Sequence, residues 1–474
     1  MKSIRSALLG IFAVAFANAQ EAPNGEALYK QFCAQCHGPN LQGGNAQSMV
    51  DGVWQFGAGK GYVTRNIKHG ITNLGMPAYE SSMTDKQINA VAEYILNTEK
   101  SAGAVKPAPP AEVQTVDYHV KVDQWVQDLD DPWGIAFPDA QTVLITEKAG
   151  KLRFVKNGML DSNAIAGTPE VLAEGQGGLM DVAVDPGYAK NGWVYLAFSH
   201  ALPAEAGSPR PAMTKIVRGK IADDKWTDEQ TLFEAPRESY LPSRVHYGCR
   251  IVFDDQGHLY FAIGERGFQD HAQDLTRPNG KVHRIKTDGS IPKDNPFRKK
   301  KGAIPSIYSY GNRNAQGLAV HPENGYLWET EHGPMGGDEI NVIESGKNYG
   351  WPVVTYGRNY TGQLVSELTE KDGIDAPALY WNPSIAVCGV DFYNGGQFPK
   401  WKNALLVTAL KDEELRVVIV KDKRVLHEEL ILKNIGRARD VGVGPDGAIY
   451  LVTNNPGAVL KLSFIKERSY KALQ

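Results

Sequence analysis

The chain has 474 residues, of which 42% are hydrophobic and 22% are charged, and its formal net charge at pH 7 is −3. This composition is typical of a globular protein, and the length predicts either two domains or one domain beside a large repeat architecture. The nearly balanced charge gives no electrostatic basis for binding nucleic acid or an anionic membrane, so we expect neither as a partner.

Residues 1–19 have the features of an export signal. Lys2 and Arg5 precede the apolar run Ala7–Ala17, and Ala17-Asn18-Ala19 is typical of a small-residue cleavage site. The run is shorter than the roughly 18 apolar residues of a membrane-spanning helix, and no later run reaches that length. The sequence therefore predicts an exported, soluble, periplasmic protein with no integral membrane segment.

Residues 24–100 are predicted to form a small all-α cytochrome c domain. The stretch "QFCAQCHGPN" contains Cys-x-x-Cys-His, the attachment sequence of haem c. Cys33 and Cys36 would bind the haem vinyl groups, and His37 would ligate the iron. A haem of this kind carries single electrons and does not produce them, so we expect the rest of the chain to supply them.

The second iron ligand is predicted to be Met76, which precedes Pro77 in "GITNLGMPAYESSM". A thioether ligand raises the haem potential and suits an electron acceptor. Met49 and Met83 are the alternatives, and a core methionine is the competing interpretation of each. Thr84 is an N-cap candidate for the amphipathic helix that ends the segment. The Cys-x-x-Cys-His motif, the Gly-Met-Pro turn and the flanking helices together resemble a class I cytochrome c.

Residues 101–112 are rich in Pro and Ala and are predicted to be a semi-extended linker. From residue 116 to residue 466, short β-type runs alternate with Gly, Pro and Asp turns. One pattern recurs six times: an apolar triplet, a turn, and a run of apolar and aromatic residues. Such repetition indicates an all-β six-bladed β-propeller, with one four-stranded blade per repeat. The occurrences are "WGIAFPDAQTVLITE", "MDVAVDPGYAKNGWVYLAFS", "CRIVFDDQGHLYFAIGE", "QGLAVHPENGYLWETE", "CGVDFYNGGQFPKWKNALLVTAL" and "RDVGVGPDGAIYLVTN".

Several polar residues stand beside the repeated strands without an evident structural purpose. His246 could act as a general base, since an imidazole titrates near neutrality. Four cations would bind one polyanion if their loops converge, and the loop Gly333–Glu339 suits a hard cation such as Ca²⁺. Taken singly these signals are weak, because a lone histidine is more often structural and two of the arginines could pair with Asp440. The four cations are Arg313, Lys411, Arg437 and Arg439.

From about residue 125 to residue 464 the chain resembles the soluble quinoprotein glucose dehydrogenase and aldose sugar dehydrogenase family. The resemblance implies a six-bladed propeller that uses pyrroloquinoline quinone (PQQ), and it covers most of the predicted propeller. The matching stretches are "PWGIAF", "EGQGGLMDVAVDP", "RIVFDDQGHLYFAIGER", "DGSIPKDNPF", "YGNRNAQGLA", "EHGPMGGDEIN", "KNYGWPVVTYG" and "RARDVGVGPDG".

The resemblance also implies roles for matching residues. His246 would take the proton of the anomeric hydroxyl while a hydride passes from that carbon to the C5 carbonyl of PQQ. Arg313 and Asn314 would hold the quinone oxygens, and Arg313 would stabilise the charge that develops at C5. Gln176 would contact the sugar. The cofactor carboxylates would be bound by Lys411, Arg437 and Arg439.

Two calcium positions follow from the same resemblance. Main-chain oxygens of Gly333 and Pro334 would help to hold an active-site Ca²⁺, which acts on the quinone as a Lewis acid. Glu339 and the main chain of Tyr349 match a second, structural calcium position.

The sequence departs from the family pattern at three places. Asn312-Arg313-Asn314-Ala315 stands where His-Arg-Asn-Pro is usual, and Cys249 and Cys388 stand where relatives tend to carry serine. Neither change alters the catalytic set, and whether the two cysteines form a disulfide stays open. Val245, just before the base, stands where the glucose dehydrogenases have an acidic residue, which weakens the case for glucose itself as the favoured substrate.

The predicted function is oxidation of an aldose sugar at C1 to the lactone, with electrons passing from PQQ to haem c and then to a downstream periplasmic acceptor. One alternative is a PQQ-dependent dehydrogenase of sorbosone or another alcohol. Another is a non-catalytic propeller that binds carbohydrate or protein and carries the cytochrome as a redox module. His246 and the complete cation set favour catalysis, and the sequence contains no H-E-x-x-H or G-x-S-x-G motif.

Overall fold

The computed structural model of the chain contains two compact units, which divide between residues 105 and 106. No helix in the described part of the chain is long and apolar enough to cross a bilayer. The predicted export signal and residues 104–107 of the predicted linker lie outside the described residues. The structure describes residues 22–46, 48–52, 54, 59–71, 75–103, 108–204 and 207–468.

The N-terminal unit is built from helices, as predicted. Thr84 caps the last helix through a capping box: its side chain accepts from Gln87 N, and the Gln87 side chain accepts from Thr84 N. The predicted N-cap is therefore confirmed. The helices are α1 (Gly25–Phe32), α2 (Ala34–His37), α3 (Lys60–His69) and α4 (Asp85–Ala102).

The core of this unit lies between the helices. Tyr29 of α1 is fully buried and donates its hydroxyl to the Gly38 carbonyl at 2.7 Å, which holds the turn after the haem-binding motif. Ile88 and Val91 on one face of α4 pack into the same cluster, which also contains Cys33. The spacing of the apolar residues thus decides which helix faces turn inward.

The second unit is all-β. Strands β1 (Glu112–Gln114) and β2 (Tyr118–Val126) come first in the chain. Blade 1 contains β3 (Pro132–Ala136), β4 (Thr142–Glu147), β5 (Leu152–Lys156) and β6 (Met159–Ala164). Blade 2 contains β7 (Leu179–Val184), β8 (Val194–Ala201), β9 (Ala212–Ala222) and β10 (Lys225–Phe233), with the short helix α5 (Tyr188–Asn191) in its first turn. Blade 3 contains β11 (Ile251–Phe253), β12 (His258–Ile263), β13 (Lys281–Lys286) and β14 (Ile307–Tyr310).

The remaining blades follow the same order. Blade 4 contains β15 (Ala315–Val320), β16 (Leu327–Glu331), β17 (Asp338–Ile343) and β18 (Leu379–Trp381). Blade 5 contains β19 (Val387–Phe392), β20 (Leu405–Ala409), β21 (Glu414–Lys421) and β22 (Arg424–Leu432). Blade 6 contains β23 (Arg437–Val443), β24 (Ile449–Asn454) and β25 (Ala458–Glu467). Single 3₁₀ turns occur at Arg237–Ser239, Gln269–Ala272 and Pro399–Trp401.

The last blade closes the ring. β2 pairs antiparallel with β25, for example Val122 opposite Leu462, and gives a sheet of order β1-β2-β25-β24-β23. The innermost strands β3, β7, β11, β15, β19 and β23 contact one another in sequence, and β23 contacts β3. Each of the six sequence repeats is the hairpin of the two inner strands of one blade. The six-bladed propeller predicted from the repeats is therefore confirmed.

A buried ionic group formed by Arg250, Asp181 and Asp440 lies among the innermost strands. Arg250 Nη1 is 3.0 Å from Asp181 Oδ1 and 3.0 Å from Asp440 Oδ2. Burial raises the pKa of both carboxyl groups. The two attractive contacts keep the guanidinium between them charged in spite of its burial.

This ionic group joins strands from five blades. Asp181 of β7 accepts from the main-chain nitrogen of Ile251 in β11 at 2.7 Å, and Asp440 of β23 accepts from that of Ile135 in β3 at 3.0 Å. Arg250 Nε donates to the Gln316 carbonyl of β15 at 3.0 Å. The arrangement of the innermost strands therefore depends on one shared set of charges.

We expect Arg250→Met to destabilise the propeller by about 3–5 kcal/mol, because it leaves two buried carboxylates without their cation. The measurement is the denaturant midpoint of the propeller transition. Lys402→Met is the control, since Lys402 pairs with Glu323 on the exposed surface and should leave the midpoint unchanged. Equal midpoints for Arg250→Met and the parent would contradict this account of the centre.

Candidate active site

The chain topology brings the predicted site residues to one end of the propeller. Within each blade the first strand starts, and the antiparallel second strand finishes, at the same end. The residues predicted to act as the base or to contact the sugar and the quinone stand beside a first-strand start or a second-strand end. Gln176 precedes β7, His246 precedes β11, Arg313 and Asn314 precede β15, Lys411 follows β20, and Arg437 and Arg439 begin β23.

His246 lies in a tightly held loop. Its main chain adopts a left-handed conformation, with φ +50°, and its nitrogen donates to Gln176 Oε1 at 2.7 Å. Its Nδ1 is 2.9 Å from Glu265 Oε1. Burial lowers the pKa of His246, and Arg313 adds to that effect while Glu265 opposes it. The imidazole is therefore neutral at neutral pH and can accept a proton.

Glu265 is a site residue that the sequence analysis missed. It follows β12 and is almost fully buried, and its main-chain nitrogen donates to the Arg313 carbonyl at 2.9 Å. Its position at a second-strand end, in "YFAIGER", is the signal that could have identified it. Gly264 is required beside it, because a Cβ there would lie 2.4 Å from the His246 carbonyl oxygen and 2.8 Å from Asn314 Oδ1.

Arg313 and Asn314 are held by the end of β16. The Glu331 carboxylate accepts from the main-chain nitrogens of both residues, and from Asn314 the distance is 3.2 Å. The Arg313 guanidinium donates to the carbonyls of His332 at 2.9 Å and Gly333 at 3.1 Å, and it lies 5.3 Å from the Trp351 ring centroid. Arg313 thus contacts a carbonyl that the sequence analysis had chosen as a calcium ligand.

The other cations come from blades 5 and 6. Lys411 Nζ is 3.0 Å from Asp412 and 3.2 Å from the Ser384 carbonyl. Arg439 donates to Asn454 at 3.2 Å, and its guanidinium carbon lies 4.2 Å from the Trp133 ring centroid. Asp440 is paired with Arg250 and not with Arg437 or Arg439, so the structural alternative raised for those two arginines is wrong.

These groups form a site that suits a bound polyanion. In the described part of the chain, no carboxylate lies within ion-pair distance of the guanidinium of Arg313, Arg437 or Arg439. Buried donors without a protein partner are Arg313 Nε and the indole nitrogens of Trp133 and Trp351, and His332 Nε2 is also unpartnered. Unpaired buried cations and donors are costly. A planar quinone with several carboxylates would satisfy them, so the residues present fit PQQ.

A cluster of buried carboxylates lies directly behind Arg313. In the β16–β17 ladder, Glu329 stands opposite Asn341 and Glu331 stands opposite Glu339. All three carboxylates lie within 3.3 Å of Asn341 Nδ2, at 3.0 Å, 3.3 Å and 3.3 Å. Burial raises the pKa of all three. A single amide cannot neutralise the charge of three carboxylates. The described side chains nevertheless contain no group of three or more His, Cys, Asp or Glu residues arranged to hold a metal ion.

The remaining candidate calcium residues surround this cluster. Gly333, Glu339 and Tyr349 line one small cavity together with Glu331 and Arg313. Pro334 follows Gly333 in the chain and is buried. Glu329, Glu331 and Asn341 had not been chosen from the sequence, although their alternation along β16 and β17 places them on one face.

The two cysteines that lie in the propeller sequence are free thiols. Cys249 and Cys388 are both free and fully buried, and Cys249 Sγ donates to the Met180 carbonyl at 3.1 Å. Burial raises the pKa of the Cys249 thiol well above its usual value. Both residues therefore serve as small core side chains in this structure.

In the N-terminal unit, the loop that carries Met76 is pinned by main-chain bonds. Met76 and Ile71 exchange two hydrogen bonds, at 2.9 Å and 3.2 Å. Gly70 has φ +71°, and a Cβ there would lie 2.7 Å from the Met76 carbonyl oxygen. Met83 is buried in the core, whereas Met76 and Met49 are half-buried at its edge. This burial favours Met83 as a core residue.

Comparisons with known proteins agree with this geometry. The family described as Glucose / Sorbosone dehydrogenase matches residues 129–461, and the family described as Cytochrome C oxidase, cbb3-type, subunit III matches residues 20–95. The chain is 42% identical over 352 residues to aldose sugar dehydrogenase YliI of Escherichia coli K12, covering 73% of this chain and 93% of the relative.

Two solved structures show the same propeller. The apo-form of soluble aldose sugar dehydrogenase from Escherichia coli has a TM-score of 0.68 at 40% identity, covering 73% of this chain and 100% of that one. The PQQ-bound form of aldose sugar dehydrogenase from Streptomyces coelicolor has a TM-score of 0.59 at 26% identity, covering 75% and 99%.

We expect Met76→Ala to lose the methionine-to-iron absorption band and to lower the haem potential, because a weaker ligand replaces the thioether. Visible spectra and a redox titration of the purified protein measure both effects. Met49→Ala is the control, because Met49 lies at the same edge of the core and should keep the band. Persistence of the band in Met76→Ala would exclude Met76 as the ligand.

Proposed function

The chain belongs to the glucose / sorbosone dehydrogenase family and carries a cytochrome c domain at its N-terminus, and from this premise we propose that it oxidises an aldose sugar at C1 to the lactone. Two electrons and two protons leave the sugar in that reaction. When bound, PQQ would supply the carbonyl that accepts the hydride, and haem c would supply a one-electron carrier. The relatives named as aldose sugar dehydrogenases, one of them PQQ-bound, support the proposal.

The observation that carries the proposal is the neutral His246 beside Glu265. Nδ1 lies 2.9 Å from a carboxylate oxygen of Glu265, and a proton on Nδ1 would leave the Nε2 lone pair to accept the substrate proton. His246 would take the proton of the anomeric hydroxyl, and Glu265 would stabilise the imidazolium that forms. Arg313, whose carbonyl is bound by Glu265 N, would face the charge that develops on the acceptor.

The proposed sugar position is defined by Gln176 and Val245. Gln176 Oε1 accepts from His246 N, so the amide nitrogen of Gln176 is the group that would meet a sugar hydroxyl. Val245 presents an apolar side chain beside the base and cannot bind a hydroxyl. Val245 thus weakens the case for glucose itself as the favoured aldose, and an aldehyde-type sugar such as sorbosone is the alternative substrate.

The cofactor would be held by the cations without a carboxylate partner and by Lys411. Arg437 and Arg439 of blade 6 would bind carboxylates through planar forks, and Lys411 of blade 5 would act as a point charge. Asn314 would hold a quinone oxygen, although its Oδ1 already accepts from Gly248 N at 3.1 Å. Its amide nitrogen is thus the group that would serve this role.

We also propose two calcium ions, one held by the carbonyls of Gly333 and Pro334 and one held by Glu339 and the main chain of Tyr349. The buried carboxylates of Glu329 and Glu331 support the second position, because Ca²⁺ prefers several oxygen ligands. A half-turn of the Asn341 amide would exchange its nitrogen for an oxygen at the point where the three carboxylates meet. We propose export to the periplasm from the signal-like features of residues 1–19. The mass of the purified protein should then be that of a chain that begins at Gln20.

We expect His246→Ala to bind PQQ nearly as well as the parent and to reduce haem with sugar at least about a hundredfold more slowly. The measurement is haem absorbance after PQQ, Ca²⁺ and sugar are added to the full chain. His427→Ala, on the exposed outer strand β22, is the control and should keep the parental rate.

Three outcomes decide this proposal. A parental rate in His246→Ala would show that the base is wrongly assigned. If none of the sugars tested leads to haem reduction in the parent, the proposed activity is contradicted. A parent that binds no quinone would favour the non-catalytic binding propeller.

We expect Ca²⁺ to raise the thermal midpoint of the quinone-free protein, because the ion binds only the folded carboxylate cluster. Saturation at a hundred times the dissociation constant would add about 2.7 kcal/mol of stability. Glu339→Gln should reduce the response, whereas the exposed Glu323→Gln should retain it in thermal-shift measurements with and without chelator. A parental midpoint that does not respond to Ca²⁺ would refute the second calcium position.

A further inference from the structure

We propose that Arg266 is a positioning residue for His246, and that its guanidinium fixes the loop 243–247 in which the base is carried. This role rests on the proposed function, because it is defined relative to the proposed base. Arg266 follows Glu265 immediately, so one dipeptide contacts both the side chain and the main chain of the base-carrying loop.

The contacts of Arg266 are unusual for an arginine. It is fully buried, and its guanidinium carbon lies 3.3 Å from the Tyr247 ring centroid. Nη1 donates to the Val245 carbonyl, and Nη2 donates to the Ser243 carbonyl at 2.8 Å and the Ala212 carbonyl at 3.4 Å. The guanidinium therefore contacts the main chain of loop 243–247 and also the ring of Tyr247, the residue that follows His246.

Arg266 has no carboxylate partner within ion-pair distance among the described residues, since its neighbour Glu265 is paired with His246. Burial lowers the pKa of Arg266 to about 10, so it remains charged at neutral pH. A buried cation without a carboxylate partner is costly in free energy, and the contacts with three carbonyls and one aromatic ring offset that cost. A positioning role accounts for a buried cation that packing does not require.

The loop needs such a contact because its backbone is strained. His246 has φ +50° and Arg266 itself has φ +65°, a region in which non-glycine residues cost free energy. Other contacts with the loop main chain come from Gln176, which bonds the main chains of Arg244 and His246, and from Thr214, which donates to the Tyr247 carbonyl at 2.6 Å. Arg266 bridges the carbonyls of residues 243 and 245, which lie just before His246.

Arg266 also contributes charge at the base. Four charged or titratable groups influence His246, from three elements: Glu265 and Arg266 after β12, Arg313 before β15, and His332 after β16. Glu265 favours the protonated imidazole, whereas Arg266 and Arg313 disfavour it. Loss of the Arg266 charge should therefore make His246 easier to protonate, and the acid limb of the rate profile should move to higher pH.

The experiment compares Arg266→Gln, which keeps a donor and loses the charge, with Arg266→Lys, which keeps the charge and loses the fork. We expect both to lower kcat, by up to about a hundredfold, because small displacements of a catalytic group are costly. Only Arg266→Gln should move the acid limb upward. The second readout is the imidazole titration of His246 by NMR in the quinone-free full chain, where the Arg266→Gln midpoint should also rise.

Arg284→Met is the matched control. Arg284 is a buried arginine of the same blade that also lies over a tyrosine ring, Tyr308 at 4.9 Å, but it pairs with Asp294 away from the site. It should lower stability and leave kcat and the His246 titration unchanged.

The proposal is overturned if both Arg266 variants fold with parental kcat and a parental His246 titration. It is also overturned if Arg284→Met changes these readouts as much as they do, because the effect would then be general destabilisation. If the parent oxidises no sugar, the proposed function fails, yet a raised His246 midpoint in quinone-free Arg266→Gln still supports the positioning role.

Discussion

The buried ionic group of Arg250, Asp181 and Asp440 is the constraint on which the propeller and its site both depend. Two carboxylates and one guanidinium are buried together, and their cost is offset only while all three stay in contact and bonded to the main chain. The guanidinium also donates to the Arg439 carbonyl at 2.7 Å. The strand that carries two of the proposed cofactor-binding arginines is therefore held by the same charges that join the innermost strands of five blades, so the position of these arginines depends on this group.

Elsewhere in the site, positive and negative side chains lie in separate places and do not neutralise one another. Cations without a carboxylate partner collect at one end of the propeller, and carboxylates without a cation collect behind Arg313. Glu331 joins the two sets, because its carboxylate bonds the main chain of Arg313 and Asn314 and also reaches the Asn341 amide. Such an arrangement is unfavourable in isolation. It becomes favourable when an anion meets the first set and a divalent cation meets the second, so ligand binding and stability should be coupled.

Much of this could be predicted from the sequence, and the remainder could not for identifiable reasons. The six repeats gave six blades because each encodes an inner hairpin with its own turn. His246 and the cations were found because they stand beside those strands. Arg250 was missed because its partners lie 69 and 190 residues away, and no local pattern records such a pairing. Glu329 and Asn341 were missed because they sit within strand-like runs, where only the side-chain alternation distinguishes a buried polar side chain from a solvated one.

Three residues with a left-handed backbone lie in the part of the chain that carries the proposed base. His246, Arg250 and Arg266 all have positive φ, at +50°, +79° and +65°, and none of them is glycine. His246 is bonded to blade 2 through Gln176, and Arg250 is bonded to blade 4 through the Gln316 carbonyl and to blade 6 through Asp440. Arg266 is bonded to blade 2 through the Ala212 carbonyl. Strain of this kind survives only where the surroundings over-determine it. The backbone around the proposed base therefore depends on contacts with blades 2, 4 and 6, so changes in those blades should reach the base.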